Sequence, residues 1–181
     1  GGSLNDVVLT VVTGAVRRFL ERRGIRPHGL DFRVMAPVSV RGADESGALG
    51  NRNDLDVLLT LRQLADVIIV GAGTARGEGY GPPAKPGQRI GVVTNSGRVD
   101  VDSPLFASGA GFVIAPDSAP IDDSLVEVLR AGDTRVDLRA ALGALDSVFR
   151  GVGYVQAEGG PTLNAALLAA DLVDELDLTI S

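Results

Sequence analysis

From Leu4 to Leu20, the apolar residues Leu4, Val7, Val8, Val11, Val12, Ala15, Val16, Phe19 and Leu20 recur at three- and four-residue steps. That is the spacing of one helix face. Ser3 suits the N-cap, Arg17, Arg18, Arg22 and Arg23 gather where the dipole favours cations, and Gly24 can close the helix. The pattern then predicts a strand over 31–40, despite Pro37, and a polar, glycine-rich loop over 41–53. Leu55, Leu58, Leu59 and Leu61 predict a short helix over 54–64 with these four facing inward. The near-continuous apolar run 65–70 reads as a strand buried on both faces. It leads into a glycine turn at 71–74 and a proline- and glycine-rich loop at 77–87. Further strands are predicted over 89–94, 111–115, 134–138, 152–157 and 173–180, and helices over 124–130, 139–149 and 162–170. Strands alternating with helices predict one α/β domain over 1–181, built on a mostly parallel central sheet with helices on both faces.

Composition narrows the chemistry. The 181 residues are 45% hydrophobic, enough for a sizeable core. A net charge of −6 argues against a general nucleic-acid binder. With no cysteine, thiolate metal sites and cysteine nucleophiles are excluded; the one histidine, His28 in a Pro-His-Gly turn, reads as a solvated turn residue, so neither a His-based triad nor a metal is expected. No stretch is long and apolar enough for a membrane span, so a cytoplasmic protein without membrane or nucleic-acid partners is expected.

Three strand ends carry small or polar turns, at 71–74, 94–98 and 158–162. In open α/β sheets, ligands bind outside the carboxyl ends of the strands. The turn Glu158-Gly159-Gly160-Pro161-Thr162 opens a helix, where free N–H groups and the dipole attract an anion and Pro161 loses nothing by lacking a donor. The alternative is that the two glycines serve turn geometry alone. Thr74 and Thr162 offer hydroxyls to phosphate oxygens. Thr94, Asn95, Ser96 and Arg98 can hold a terminal phosphate such as the 2′-phosphate of NADPH, or Arg98 is simply a solvated turn residue. Glu158 either accepts hydrogen bonds from a ribose or base, or caps neighbouring backbone N–H groups. Neither G-x-G-x-x-G nor G-x-x-x-x-G-K-[ST] is present.

LRQLADVIIVGAGTARGEGYGPP (61–83), RIGVVTNSGRVDVDSPLF (89–106) and AEGGPTLNAALLAADLVDELDLTIS (157–181), in this order, resemble the riboflavin-biosynthesis pyrimidine reductase family. This is the reductase domain of the riboflavin deaminase–reductase, and the resemblance runs from about 46 to 181. It implies a dihydrofolate-reductase-like fold and NADPH as hydride donor. The implied substrate is a phosphorylated pyrimidine, 5-amino-6-(5-phosphoribosylamino)uracil, whose ribosyl group becomes a ribityl chain. On the matching motifs, Thr74, Glu78, Asn95, Ser96, Gly159, Gly160, Pro161 and Thr162 would bind the cofactor. Arg62 would reach the substrate phosphate, Glu158 would face the substrate or nicotinamide end, and Ser46 would be a further substrate contact. No catalytic residue is assigned. The family also implies a homodimer, and further C-terminal strands that this chain is expected to lack.

The front of the chain looks different. SLNDVVLTVVTGAVRRFLERRG (3–24) and FRVMAPVSVRGADESGALGNR (32–52) resemble a fragment of the bacterial wax ester synthase/diacylglycerol acyltransferase family. That family's H-H-x-x-x-D-G motif is absent, so acyl transfer is not expected. The two resemblances imply a chimera, natural or engineered, of an acyltransferase-like helix and strand over 1–52 and an NADPH-binding core over 53–181. Arg41 stands where the reductase family carries an acid. The alternative to an active reductase is therefore a non-catalytic scaffold that binds a nucleotide without turnover.

Overall fold

The structure is a computed structural model that describes Arg18, Glu21, Arg22, Gly24 and residues 52–175. Arg18, Glu21 and Arg22 are helical, and Gly24, at φ 73°, donates its N–H to the Glu21 carbonyl, as expected of a helix closing there. The rest of that helix, the strand expected over 31–40, the loop through 51 and Ser46 lie outside the described residues. The chain divides into two compact units, residues 1–51 with 173–181, and Arg52–Leu172.

The second unit runs α1 (Arg52–Leu64), β1 (Val67–Gly71), α2 (Ala72–Glu78), β2 (Arg89–Val93), α3 (Pro104–Ala107), β3 (Gly111–Ala115), β4 (Val128–Arg130), α4 (Leu138–Phe149), β5 (Val155–Ala157) and α5 (Pro161–Ala169). The five strands form one sheet in the order β4-β3-β2-β1-β5, and every pairing is parallel. The apolar runs of β1 and β3 are buried, as strands covered on both faces must be.

The order has a consequence for the site. The chain steps from β1 to β2, β3 and β4 in one direction, then returns through α4 to lay β5 on the other side of β1. Parallel crossovers are right-handed, so the outward steps and the return put their helices on opposite faces. The packing agrees. Ile68 and Val70 of β1 and Ile90 and Val92 of β2 form one cluster with Ala72 and Ala75 of α2 and Leu105 of α3. On the other face, Phe112 of β3 meets Phe149 of α4 with ring centroids 4.6 Å apart. Gly91 makes room for that ring: a Cβ there would stand 2.6 Å from Phe112 Cζ. Burying a side chain such as Phe112 or Leu105 contributes roughly 1.5–3 kcal/mol each.

Polar side chains fix the connections. Asp137 caps α4 by accepting the Ala140 N–H at 3.0 Å. Asp146 then accepts from Gly151 and Val152, and Asp66 from Gly153 and Tyr154, so two carboxylates steer the chain from α4 into β5. Both N–H bonds hold the Asp66 carboxyl below its ordinary pKa. Gln88 and Lys85 donate to the carbonyls that end α1, Arg62 and Ala65.

Several expectations are corrected. The segment expected as a helix over 124–130 turns and then forms β4. Its three residues pair with β3, while the Arg130 guanidinium donates to the carbonyls of Pro116, Ala119 and Ile121 and pairs with Asp123. These long-range bonds outweigh a weak helical pattern. The strand expected over 134–138 is the turn that delivers the Asp137 cap. The glycine turn expected at 71–74 is a helix start: α2 begins at Ala72, directly after β1, and the loop begins at Gly79. Of the strand expected over 173–180, Val173, Asp174 and Glu175 are not in a strand, and 176–180 lie outside the described residues. Leu59 is 43% exposed rather than inward, because it stands at the wall of a cleft. The short helix α3 was not expected, although Ser103 before Pro104 is an N-terminal signal.

Candidate functional site

Because β1 has β2 on one side and β5 on the other, reached over opposite faces, the carboxyl ends of β1 and β5 form a switch point of the sheet, where such folds open a crevice. All three glycine or polar turns singled out in the sequence follow β1, β2 and β5, which are adjacent in the sheet. At the β1–β5 junction the parallel ladder runs on past β5: Glu158 donates its N–H to the Ile69 carbonyl at 2.9 Å, and Gly71 donates to the Gly159 carbonyl at 2.7 Å. The Gly159–Gly160 peptide is cis, and Gly159 has φ 101°.

Gly160 is the N-cap of α5 and Pro161 its first residue; no side chain caps this end. The backbone of Gly160 lies against Thr74 on α2, so that a Cβ on Gly160 would come 2.5 Å from Thr74 Oγ1. A Cβ on Gly71 would come 3.4 Å from Gly160 N. Two helix starts, α2 and α5, thus meet with only the Thr74 hydroxyl set against the glycine backbone of Gly160. Thr74 is half-buried, Gly159 is buried, and Pro161 and Thr162 are exposed.

Beyond β2, Asn95 and Ser96 are exposed. Asn95 Oδ1 accepts the Val136 N–H at 2.8 Å, tying this turn to the approach to α4. Ser96 donates its N–H to Thr94 Oγ1 at 3.3 Å. Arg98 is exposed, and its carbonyl accepts a bond from Arg76 of α2.

Gln156 and Glu158 sit two residues apart along the β5 direction and so share the face that carries α2. The Glu158 side chain is 3% exposed. Arg62 of α1 donates through Nε to Oε1 and through Nη2 to Oε2, each at 2.6 Å. Tyr80 donates its hydroxyl to Oε2 at 2.7 Å, and Gln156 Nε2 donates to Oε1 at 3.1 Å. The carboxylate is therefore saturated by four donors, the arrangement that makes a buried charge tolerable. The hydrogen bond to Glu158 raises the Arg62 pKa further, against the effect of its own burial. Burial, then the neighbouring Glu158 charge, pushes the Tyr80 hydroxyl well above its ordinary value, so it stays a neutral donor. Gln156 Oε1 has no hydrogen-bond partner among the described residues.

Beside this network lies a cleft of about 310 Å³, walled by α1 (Leu59, Arg62), the end of α2 (Glu78), the following loop (Tyr80, Lys85) and the core residues Ile68 and Ile90. Glu78 is four residues beyond Thr74 on α2, roughly 6 Å along the helix, and lines this cleft rather than the glycine patch. The candidates thus fall into two groups. Thr74, Gly159, Gly160, Pro161 and Thr162 gather at the β1–β5 junction, with Asn95 and Ser96 at the neighbouring strand end. Arg62 and Glu78 line the cleft, and Glu158 is bonded to Arg62 without lining it. Sequence reading missed Tyr80 and Gln156 as partners of Glu158. For Gln156 a signal existed, a polar residue at the same strand face two positions earlier; for Tyr80 there was none. Among the described residues, no cluster of His, Cys, Asp or Glu could hold a metal, and no helix is long and apolar enough to cross a membrane.

A model of the RibD C-terminal domain family matches residues 39–181, starting inside the front segment expected over 1–52. A 2,5-diamino-6-ribosylamino-4(3H)-pyrimidinone 5′-phosphate reductase from Methanothermobacter thermautotrophicus is 30% identical over 159 residues, covering 77% of this chain and 69% of that protein. Among solved structures, a pyrimidine reductase-like protein from Corynebacterium diphtheriae is similar with a TM-score of 0.57 at 28% identity, covering 69% of this chain and 62% of the other. A riboflavin biosynthesis reductase from Saccharomyces cerevisiae has a TM-score of 0.56 at 23% identity, over 68% of this chain and 61% of its own, a likeness of fold. The chain thus spans about three fifths of these two solved relatives.

Proposed function

This chain belongs to the RibD C-terminal domain family, with a dihydrofolate-reductase-like α/β fold, and we propose that it acts as a riboflavin-pathway reductase using NADPH. The substrate is a phosphorylated ribosylaminopyrimidine: the aminouracil phosphate expected from the sequence, or the diaminopyrimidinone phosphate for which the archaeal relative is named. The observation that carries this reading is the glycine junction where Gly71 donates to the Gly159 carbonyl and Gly160 lies against the Thr74 hydroxyl at the uncapped start of α5. Such a junction suits a pyrophosphate, because backbone N–H groups at a helix start and the dipole favour the anion and glycines let it approach the backbone closely.

When bound, NADPH supplies the hydride. The protein's part is orientation and electrostatics. Gly159, Gly160, Pro161 and Thr162 cradle the pyrophosphate, Thr74 adds a hydroxyl, and Asn95 and Ser96 lie toward the adenosine ribose and its phosphate. Arg62, permanently charged at the cleft wall, faces the substrate phosphate, and Glu158 anchors Arg62 while marking the substrate or nicotinamide end. Glu78 belongs with the cleft, where its carboxylate meets either ligand. Ser46 stays a substrate-contact candidate outside the described residues. A homodimer, a cytoplasmic location and a front segment of acyltransferase origin complete the proposal.

The full set of donors around the Glu158 carboxylate, which leaves it no oxygen free for a substrate, favours a second reading, a fold that binds the nucleotide without turnover. Fluorescence titration with NADPH, followed by its oxidation in the presence of the aminouracil phosphate, separates the two. Saturable binding with oxidation supports the reductase, and binding alone supports the second reading. Failure to bind NADPH overturns both.

A further inference from the structure

We infer that Tyr80 is a positioning residue: it holds the Arg62 guanidinium in the orientation that presents its free edge to an organic phosphate in the adjacent cleft. The inference rests on the reading of that cleft as the substrate site. Tyr80 acts on the Arg62–Glu158 pair in two ways. Its hydroxyl donates to Glu158 Oε2 at 2.7 Å, the same oxygen that receives Arg62 Nη2. Its ring lies beneath the guanidinium, with Arg62 Cζ 5.5 Å from the ring centroid, close enough for a cation–π contact. One residue thus grips both members of the pair, the anion by a hydrogen bond and the cation by a face.

The backbone explains how Tyr80 gets there. Gly79 ends α2 in the left-handed region at φ 64°, ψ 53°, which turns the chain back so that Tyr80 donates its N–H to the Ala75 carbonyl. The other end of the same loop is fastened by Lys85 and Gln88 to the end of α1, the helix that bears Arg62. Nε and Nη2 of Arg62 are committed to Glu158, while Nη1 has no bond to any described residue, and both Arg62 and Tyr80 line the cleft. A guanidinium held on one edge by a carboxylate and on one face by an aromatic ring keeps its remaining donors in a fixed direction, which suits recognition of a planar or tetrahedral oxyanion. Because burial keeps the Tyr80 hydroxyl protonated, this grip does not loosen across ordinary pH.

Isothermal titration calorimetry with ribose 5-phosphate, on the wild type and on Tyr80→Phe and Tyr80→Leu, tests the inference. NADPH affinity and the melting temperature are measured on the same samples. Tyr80→Phe keeps the ring and loses the hydroxyl, and is expected to weaken ribose 5-phosphate binding by about tenfold. Tyr80→Leu loses both contacts and weakens it further, while NADPH affinity is unchanged in each. Equal ribose 5-phosphate affinity in wild type and Tyr80→Phe, no binding by the wild type, or a parallel fall in NADPH affinity overturns the inference. The reductase reading is judged separately by turnover. Oxidation of NADPH by a wild type whose phosphate affinity ignores Tyr80 removes only the positioning role, and selective loss of phosphate binding without turnover removes only the reductase reading.

Discussion

Arg62 and Glu158 stand 96 positions apart and meet in two parallel contacts of 2.6 Å, Nε to Oε1 and Nη2 to Oε2. The pair is asymmetric: the Arg62 side chain is 31% exposed and that of Glu158 only 3%. Removing one partner of a buried pair costs most when the charge left behind cannot reach water. Arg62→Met strands the carboxylate and is expected to cost about 3 kcal/mol, whereas Glu158→Gln leaves a partly exposed guanidinium and costs about 1–2 kcal/mol. Urea denaturation of both variants checks the order; equal losses would count against the burial argument.

Gly160 has φ −66°, which any residue can adopt, so its need for glycine is steric rather than conformational. A Cβ would meet Thr74 Oγ1 at 2.5 Å, but the next atom, Thr74 Cβ, only at 3.9 Å. Gly160→Ala is therefore expected to destabilise by about 1–3 kcal/mol. Thr74→Ala should restore most of that loss in the double variant, a coupling that thermal melts of the four proteins measure directly. Gly160→Val is expected to abolish NADPH binding in a fluorescence titration, and unchanged affinity would remove the pyrophosphate assignment.

Asn95 joins the β2 strand end to the turn before α4 through one bond, from the Val136 N–H to Oδ1. Asn95→Ala should cost about 1 kcal/mol and weaken NADPH binding, while Asn95→Asp keeps an acceptor in place and keeps the stability. Comparing the two by denaturation separates the tie from any direct contact with the cofactor.

The Asp66 carboxylate accepts the N–H groups of Gly153 and Tyr154, which lower its pKa from the ordinary 3.8. A depressed folded-state pKa means stability that is present above the unfolded-state value and lost as pH falls through the folded one. Melting temperature is therefore expected to fall below about pH 4. Asp66→Asn should flatten that part of the profile and begin from a lower plateau; an unchanged acid limb would rule out Asp66 as a source.

Local signals were sufficient for some elements. The strand 65–70 appears as β1, which begins at Val67, and the strand 111–115 as β3, because near-continuous apolar runs of that length are stable only between two covered faces. The helix 139–149 appears as α4, which begins one residue earlier, at Leu138 behind its Asp137 cap. The segment 124–130 misled for the opposite reason. Its few apolar residues fit either period, and the pairing of Val128–Arg130 with β3, locked by Arg130, exists only once residues 113–123 are folded against it.

The sequence by itself determined the α/β class, the three polar strand ends and the glycine-led start of α5, because each depends on neighbours within a few residues. It also determined the family, through motifs in a fixed order. Only the tertiary structure decided that the three strand ends lie side by side, since strand order is a property of long-range pairing. It alone parted Glu78 from Thr74, by the length of α2, and brought Glu158 to Arg62, Tyr80 and Gln156. A buried carboxylate demands compensating donors, but nothing local to Glu158 specifies that they come from α1 and from the loop after α2; packing against the sheet decides that.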